Sequence, residues 1–163
     1  MHNKILVMGV SGCGKSIIGD KLAANFNFSF HDGDDFHPPK NVQKMRDGQP
    51  LNDDDRSTWL RALNKLIHEN DDIVVACSAL TLNYRAQLRK NNEDLTIIYL
   101  KGSFDTIWPR LQKRRNHYFS GSDMLKSQFE TLQEPSDSEA IVINIDQSIK
   151  GIVTDSVNAL KGY

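Results

Sequence analysis

The chain has few of the features that would mark it as secreted, membrane-spanning or fibrous. Its 163 residues include two cysteines, Cys13 and Cys77. They are too few and too far apart for a disulfide framework or a zinc site. Cys13 lies inside a glycine-rich loop, where it reads as a small filler, and a thiol there points to a reducing, cytoplasmic setting. No apolar run approaches the length of a membrane span. Met1-His2-Asn3-Lys4 runs straight into the first apolar stretch, so no signal peptide is expected. Neither sign of charge dominates: Lys and Arg number 20, Asp and Glu 21, for a net charge of −1. Bulk attraction to nucleic acid or to an anionic membrane is therefore not expected. The five histidines show no metal-ligand spacing. There is no internal repeat and no low-complexity tract, and the length suits one domain with a proper core over residues 1–163.

What is present starts at Gly9-Val10-Ser11-Gly12-Cys13-Gly14-Lys15-Ser16, which fits G-x-x-x-x-G-K-[ST], the phosphate-binding P-loop. The apolar run Ile5 to Met8 precedes it as a buried strand. Ile17, Ile18, Leu22, Ala23 and Phe26 follow at helical spacing. Glycines let successive backbone N–H groups converge on phosphate oxygens, and a helix N-terminus adds partial positive charge. Lys15 can reach the β- and γ-phosphates of a nucleotide, and the Ser16 hydroxyl can ligate Mg²⁺.

Further strands are expected at 28–31, 73–76, 96–100 and 141–145, and helices at 41–47, from about 53 to 69, 83–90, 104–115, after 122 and at 148–160. Pro109 counts against the helix at 104–115 unless it lies in the first turn. This alternation predicts a parallel sheet covered on both faces. The second strand ends in Asp32-Gly33-Asp34-Asp35, at the strand end where open α/β sheets bind ligands. In an extended segment Asp32 and Asp34 share one side. Asp32 can then orient metal-bound water and Asp34 can accept a hydroxyl proton. The third strand runs into Cys77-Ser78-Ala79-Leu80 rather than the aspartate of a Walker B strand, which leaves the metal-positioning role to Asp32. Asn64-Lys65 continues as Leu66-Ile67, not as the guanine-reading Asn-Lys-x-Asp. Arg56, behind Asn52-Asp53-Asp54-Asp55, either pairs with those neighbours or reaches an anionic acceptor. The basic segment Arg110 to Arg115 is either a solvated helix face or a lid closing over a triphosphate.

The chain resembles the gluconokinases, P-loop kinases that phosphorylate D-gluconate on its 6-hydroxyl with ATP. The resemblance is carried by the P-loop and by Asp32-Gly33-Asp34-Asp35-Phe36-His37-Pro38. It continues through Asn41, Lys44, Met45, Gly48, Pro50-Leu51-Asn52-Asp53-Asp54-Asp55-Arg56 and Trp59-Leu60. Cys77 to Leu80, Tyr84-Arg85, Tyr99-Leu100-Lys101-Gly102, Arg110, Arg114, His117 and the run Gln128 to Pro135 complete it. It implies a nucleoside-monophosphate-kinase-like fold with a five-stranded parallel sheet in order 2-3-1-4-5, an acceptor-binding region near 35–56, a mobile lid near 110–125, and a homodimer. ATP and Mg²⁺ are the implied cofactors and gluconate the acceptor. Gly9 to Ser16, with Arg110 and Arg114, are expected to bind the nucleotide, and Ser16 and Asp32 the metal. Lys15, Asp34 and Arg114 are expected to be catalytic. Asp34, Arg56, His37 and Gln128 are expected to bind the acceptor. One departure is Thr81, where the family usually has Lys, and Arg85 is the candidate to compensate. Two alternatives stay open: a kinase of the same fold for a shikimate-like acid or a nucleoside monophosphate, and a nucleotide-binding protein without catalysis.

Overall fold

The fold is seen in a computed structural model, which describes residues 3–113 and 122–162. Five short strands form one parallel sheet: β1 (Lys4–Met8), β2 (Ser29–Asp32), β3 (Ile73–Ala76), β4 (Thr96–Lys101) and β5 (Ile141–Asn144). Their spatial order is β2-β3-β1-β4-β5, as the resemblance implied. β1 lies at the centre, paired to β3 on one side and β4 on the other.

The helices are α1 (Lys15–Phe26), α2 (Pro39–Arg46), α3 (Asp53–Glu69), α4 (Leu82–Arg89), α5 (Phe104–Gln112), α6 (Ser122–Thr131) and α7 (Ile149–Lys161). Side chains alternate across a strand, so β1 feeds two cores. Ile5 and Val7 pack with Ile18 and Leu22 of α1, Ile107 and Leu111 of α5, and Ile152 and Leu160 of α7. Leu6 and Met8 pack with Trp59, Leu60, Leu63 and Ile67 of α3 and Leu88 of α4. The central strands β1, β3 and β4 are buried on both faces, which is why they are mostly apolar, whereas the edge strand β2 (Ser29–Asp32) is polar and partly exposed.

Three expectations about elements change. Ile17 is not core: it lies 46% exposed on α1 while Ile18 and Leu22 face the sheet, because one residue along a helix turns the side chain by ~100°. α5 closes at Gln112 with Lys113 as its C-cap and tolerates Pro109 in its interior, so the helix predicted to 115 is shorter. Pro109 has no N–H to give the carbonyl of Asp105, so one ladder bond is missing inside the helix. The chain after Asp32 is not extended either. Gly33–Phe36 is a 3-10 turn, N-capped by the Asp32 carboxylate, which accepts from Asp34 N–H.

Candidate active site

The P-loop joins β1 to α1. Gly9 has φ 154°, and a Cβ there would stand 2.6 Å from Cys13 Sγ, so only glycine allows the loop to close over the buried cysteine. Gly14 (φ 96°) is the left-handed N-cap of α1, and no side chain caps that helix. The first-turn amides of α1 therefore lack intrahelical partners and open onto the loop, as a phosphate site requires. Ser16 Oγ donates to Asp32 Oδ2 at 2.8 Å. Asp32 at the end of β2 thus orients the Ser16 hydroxyl and caps the turn that carries Asp34.

Two cavities share a wall over this loop. One is lined by Ser11, Lys15, Asp34, Asp35, Met45, Ser78 and Gln128. The other, about 400 Å³, is lined by Asp34, His37, Met45, residues 48–51, Arg56, Trp59, Ser78, Met124 and Gln128. Asp34 stands on the common wall. It keeps a solvent-facing edge, but the surrounding protein displaces enough water that burial pushes its carboxyl above the ordinary range. Lys15 opposes that shift, and Asp32 adds to it.

His37 stacks on Trp59, with ring centroids 4.2 Å apart at 16°. The Trp59 indole is itself fixed by donating to Gly33 C=O at 2.7 Å. Burial lowers the pKa of His37, with Asp34 opposing and Arg56 adding to the decrease. Among the described residues Arg56 makes only a long pairing with Asp53, 3.8 Å on the surface, and its guanidinium lies over the Tyr84 ring at 6.0 Å. The tight ion pair nearby is Lys44 to Asp55 at 2.7 Å. Asp55 also closes a capping box with Asn52 at the start of α3. These hydrogen bonds, the one from Lys44 foremost, hold the Asp55 carboxyl below its ordinary range.

Gln128 is drawn to the loop. Ser11 N–H donates to its Oε1 at 2.7 Å, and its Nε2 donates to Ser11 Oγ at 3.0 Å. Its amide is therefore committed to positioning the P-loop while its side chain borders both cavities. Arg110 lies in a different place from Asp34 and His37. It donates to Ile145 C=O at 2.8 Å and lines a third cavity of about 420 Å³ with Gly12, Gly14, Ile17, Gln147 and Ile149. The exposed Ile17 and Ile149 give that slot apolar walls directly beside the loop. Neither was expected there from the sequence. The one signal for Ile17 was an apolar residue immediately after the P-loop serine, and the tertiary position of Ile149 had none. Arg114, His117 and the rest of 114–121 in the expected lid lie outside the described residues.

Arg85 does not stand in for a lysine at position 81. It is fully buried and its donors are spent on Glu139 (2.7 Å), Ala79 C=O (2.8 Å) and Gln133 C=O (2.7 Å). It braces the turn after β3, where Ala79 takes φ 45°. Thr81 is itself committed to a helix end, its hydroxyl accepting from Tyr84 N–H as the N-cap of α4. Among the described residues no three His, Cys, Asp or Glu side chains gather as a metal cage. None of the described helices is long and apolar enough to cross a membrane.

The family model described as shikimate kinase matches residues 11–161. The thermoresistant gluconokinase of Escherichia coli K12 is 44% identical over 166 residues, covering 98% of this chain and 94% of that protein. A gluconokinase of Gluconobacter oxydans is 39% identical, covering 85% and 79%. Among solved structures, a gluconokinase from Sinorhizobium meliloti superposes with a TM-score of 0.90 at 36% identity, covering 98% of this chain and 92% of that one. A shikimate kinase from Aquifex aeolicus reaches 0.67 at 20% identity, a likeness of fold alone. The loop, the paired cavities and these relatives agree: the chain belongs to the shikimate-kinase-type P-loop kinases and, among them, to the gluconokinase family.

Proposed function

We propose that the protein transfers the γ-phosphoryl group of ATP to the 6-hydroxyl of D-gluconate, giving 6-phospho-D-gluconate and ADP. One observation carries the assignment of roles: Asp34 stands on the wall shared by the P-loop cleft and the cavity of His37 and Arg56. A group on that wall meets both the phosphate held by Lys15 and a hydroxyl placed in the neighbouring cavity. Asp34 accepts the hydrogen of that hydroxyl and aims its oxygen at phosphorus. In a loose phosphoryl-transfer transition state this positioning matters more than full proton removal.

Lys15 and the free amides of the first turn of α1 hold the β- and γ-phosphates. The slot between Ile17, Ile149 and Arg110 takes the flat base. Arg56, with only a weak partner at Asp53, takes the acceptor's carboxylate. Gln128 holds the P-loop rather than the acceptor. Arg114 and the lid near 110–125 keep the charge-neutralising role the resemblance implies. The oxygens of Ser16 and Asp32 suit Mg²⁺, which takes few protein ligands and keeps water and phosphate oxygens. When bound with ATP it neutralises charge on the phosphates. On the resemblance alone we add a cytoplasmic location and a homodimer of the 18.5 kDa chain.

The test is ADP production with gluconate, with shikimate, with nucleoside monophosphates and with no acceptor. Gluconate-dependent turnover is expected. Turnover on shikimate instead, the second reading that the matching family model favours, would move the acceptor assignment. Equal turnover without any acceptor would remove it.

A further inference from the structure

We propose that Asn41 is a positioning residue that locks His37 as the neutral Nε2–H tautomer, so that the imidazole offers the acceptor one hydrogen-bond donor and no positive charge. The acceptor's identity rests on the function proposed above; the tautomer does not.

Asn41 is fully buried near the start of α2. Its side-chain nitrogen carries two hydrogens and meets two acceptors. It donates to Asp55 C=O at 2.9 Å, and His37 Nδ1 lies 3.3 Å away. The Asp55 carbonyl only accepts, so the amide nitrogen must face it; the flipped amide would set two oxygens against each other. The second hydrogen of the same nitrogen then points to Nδ1, which must accept. A neutral imidazole has one N–H, and here it sits on Nε2. An imidazolium would direct an Nδ1–H at the N–H of Asn41. Among the described residues Asn41 Oδ1 has no partner although it is buried. That orphaned carbonyl is destabilising, so what the side chain supplies is its pair of N–H groups.

The ring plane is held by the Trp59 stack. With Nδ1 turned to the buried amide, Nε2 is the nitrogen left to the cavity that His37 lines. The charged groups around the ring work in both directions. Asp34, from the 3-10 turn, favours the imidazolium, while Arg56, from α3, opposes it. The Asp55 carboxylate is held by Lys44, with Lys40 at 3.9 Å. Burial is the largest influence and favours the neutral ring, in agreement with the geometry. A neutral His37 forms no ion pair with Asp34, which stays available to the acceptor's hydroxyl. Asparagine at position 41 therefore separates two roles on one wall: His37 donates and Asp34 accepts.

Long-range proton–nitrogen NMR of the ¹⁵N-labelled wild-type protein at pH 7.5 reads the tautomer directly, with the His37 signals assigned by their loss in His37→Gln. The neutral Nε2–H pattern is expected; an Nδ1–H tautomer or an imidazolium overturns the proposal. Kinetics supply a second reading. Asn41→Leu should raise KM for gluconate about tenfold, the scale of one lost hydrogen bond, while KM for ATP stays within about threefold. An unchanged KM for gluconate counts against the lock. His37→Gln puts its amide near Nε2 and His37→Asn puts it near Nδ1, so the glutamine variant should retain more kcat/KM. The reverse order overturns the donor assignment. If the wild type shows Nε2–H yet does not phosphorylate gluconate, the tautomer stands and the acceptor reading fails. Turnover of gluconate with an Nδ1–H ring does the opposite.

Discussion

In the proposed reaction Lys15, Asp34 and His37 carry different parts, and their substitutions should separate. Lys15→Ala removes the one cationic side chain of the P-loop, which lines the cleft proposed for the nucleotide phosphates. A preorganised electrostatic contact of this kind is worth ~100-fold or more in kcat/KM, and near-normal turnover in a folded variant would remove Lys15 from the site. Asp34→Asn should keep ATP affinity within about threefold while kcat with gluconate falls ~100-fold or more, the cost of losing a positioned proton acceptor. An ATP titration run beside the turnover assay decides it: loss of ATP binding first would mean that Asp34 serves the nucleotide. Acidification disables both groups on the shared wall. Asp34 must be ionised, and its pKa lies above its ordinary 3.8. His37 must be neutral, and its pKa lies below its ordinary 6.5. Activity is therefore full above the higher of the two and lost as pH falls through them, so the acid limb of kcat/KM for gluconate should lie above 3.8. A limb centred below 3.8 would show that an ionised Asp34 is not required.

At the scale of elements, the site is built from helix and strand ends fastened to one another. Asp32 ends β2, caps the turn carrying Asp34 and orients Ser16 at the head of α1. Gln128 ties α6 to the P-loop. Arg85 ties the turn after β3 to the segment after α6 through Ala79 and Gln133. That turn presents Ser78 to both cavities. Thr81 begins α4 immediately beyond it. Thr81→Ala should lower the stability of the protein by about 1 kcal/mol, the usual value of an N-cap, with little change in kcat. Urea denaturation beside the coupled assay measures both. A large loss of activity without loss of stability would mean that Thr81, at the position where the resemblance implies lysine, touches the acceptor itself.

Over the whole molecule, the parallel sheet places every loop that follows a strand at one edge, and the proposed ligands bridge those loops. Ligand binding to the native state alone raises stability by about 2.7 kcal/mol at a hundredfold excess over Kd. For a chain of this size, with roughly 2–4 °C per kcal/mol, a non-hydrolysable ATP analogue should raise Tm by about 5–10 °C, read by calorimetry as one transition. An unchanged Tm at saturating analogue would contradict the nucleotide site. Two separated transitions would contradict the single domain.

The sequence by itself determined the strand–loop–helix of the P-loop, the parallel sheet and most element boundaries. These follow from local properties: glycine spacing, runs of β-branched residues and one-sided apolar faces, all set by neighbours along the chain. The resemblance supplied the strand order, which local pattern does not contain. Tertiary structure alone decided how Asp34 reaches the shared wall, since the premise of an extended strand end was replaced by a turn that the Asp32 carboxylate caps. It also decided that Arg85 is a buried brace, that Gln128 holds Ser11, that Ile17 and Ile149 meet across a slot, and that Asn41 faces both Asp55 and His37. Apart from the Asp32 cap, two positions from Asp34, these depend on partners between 4 and 132 positions away in the chain, and a side chain's hydrogen-bonding role is set by the groups the fold brings to it.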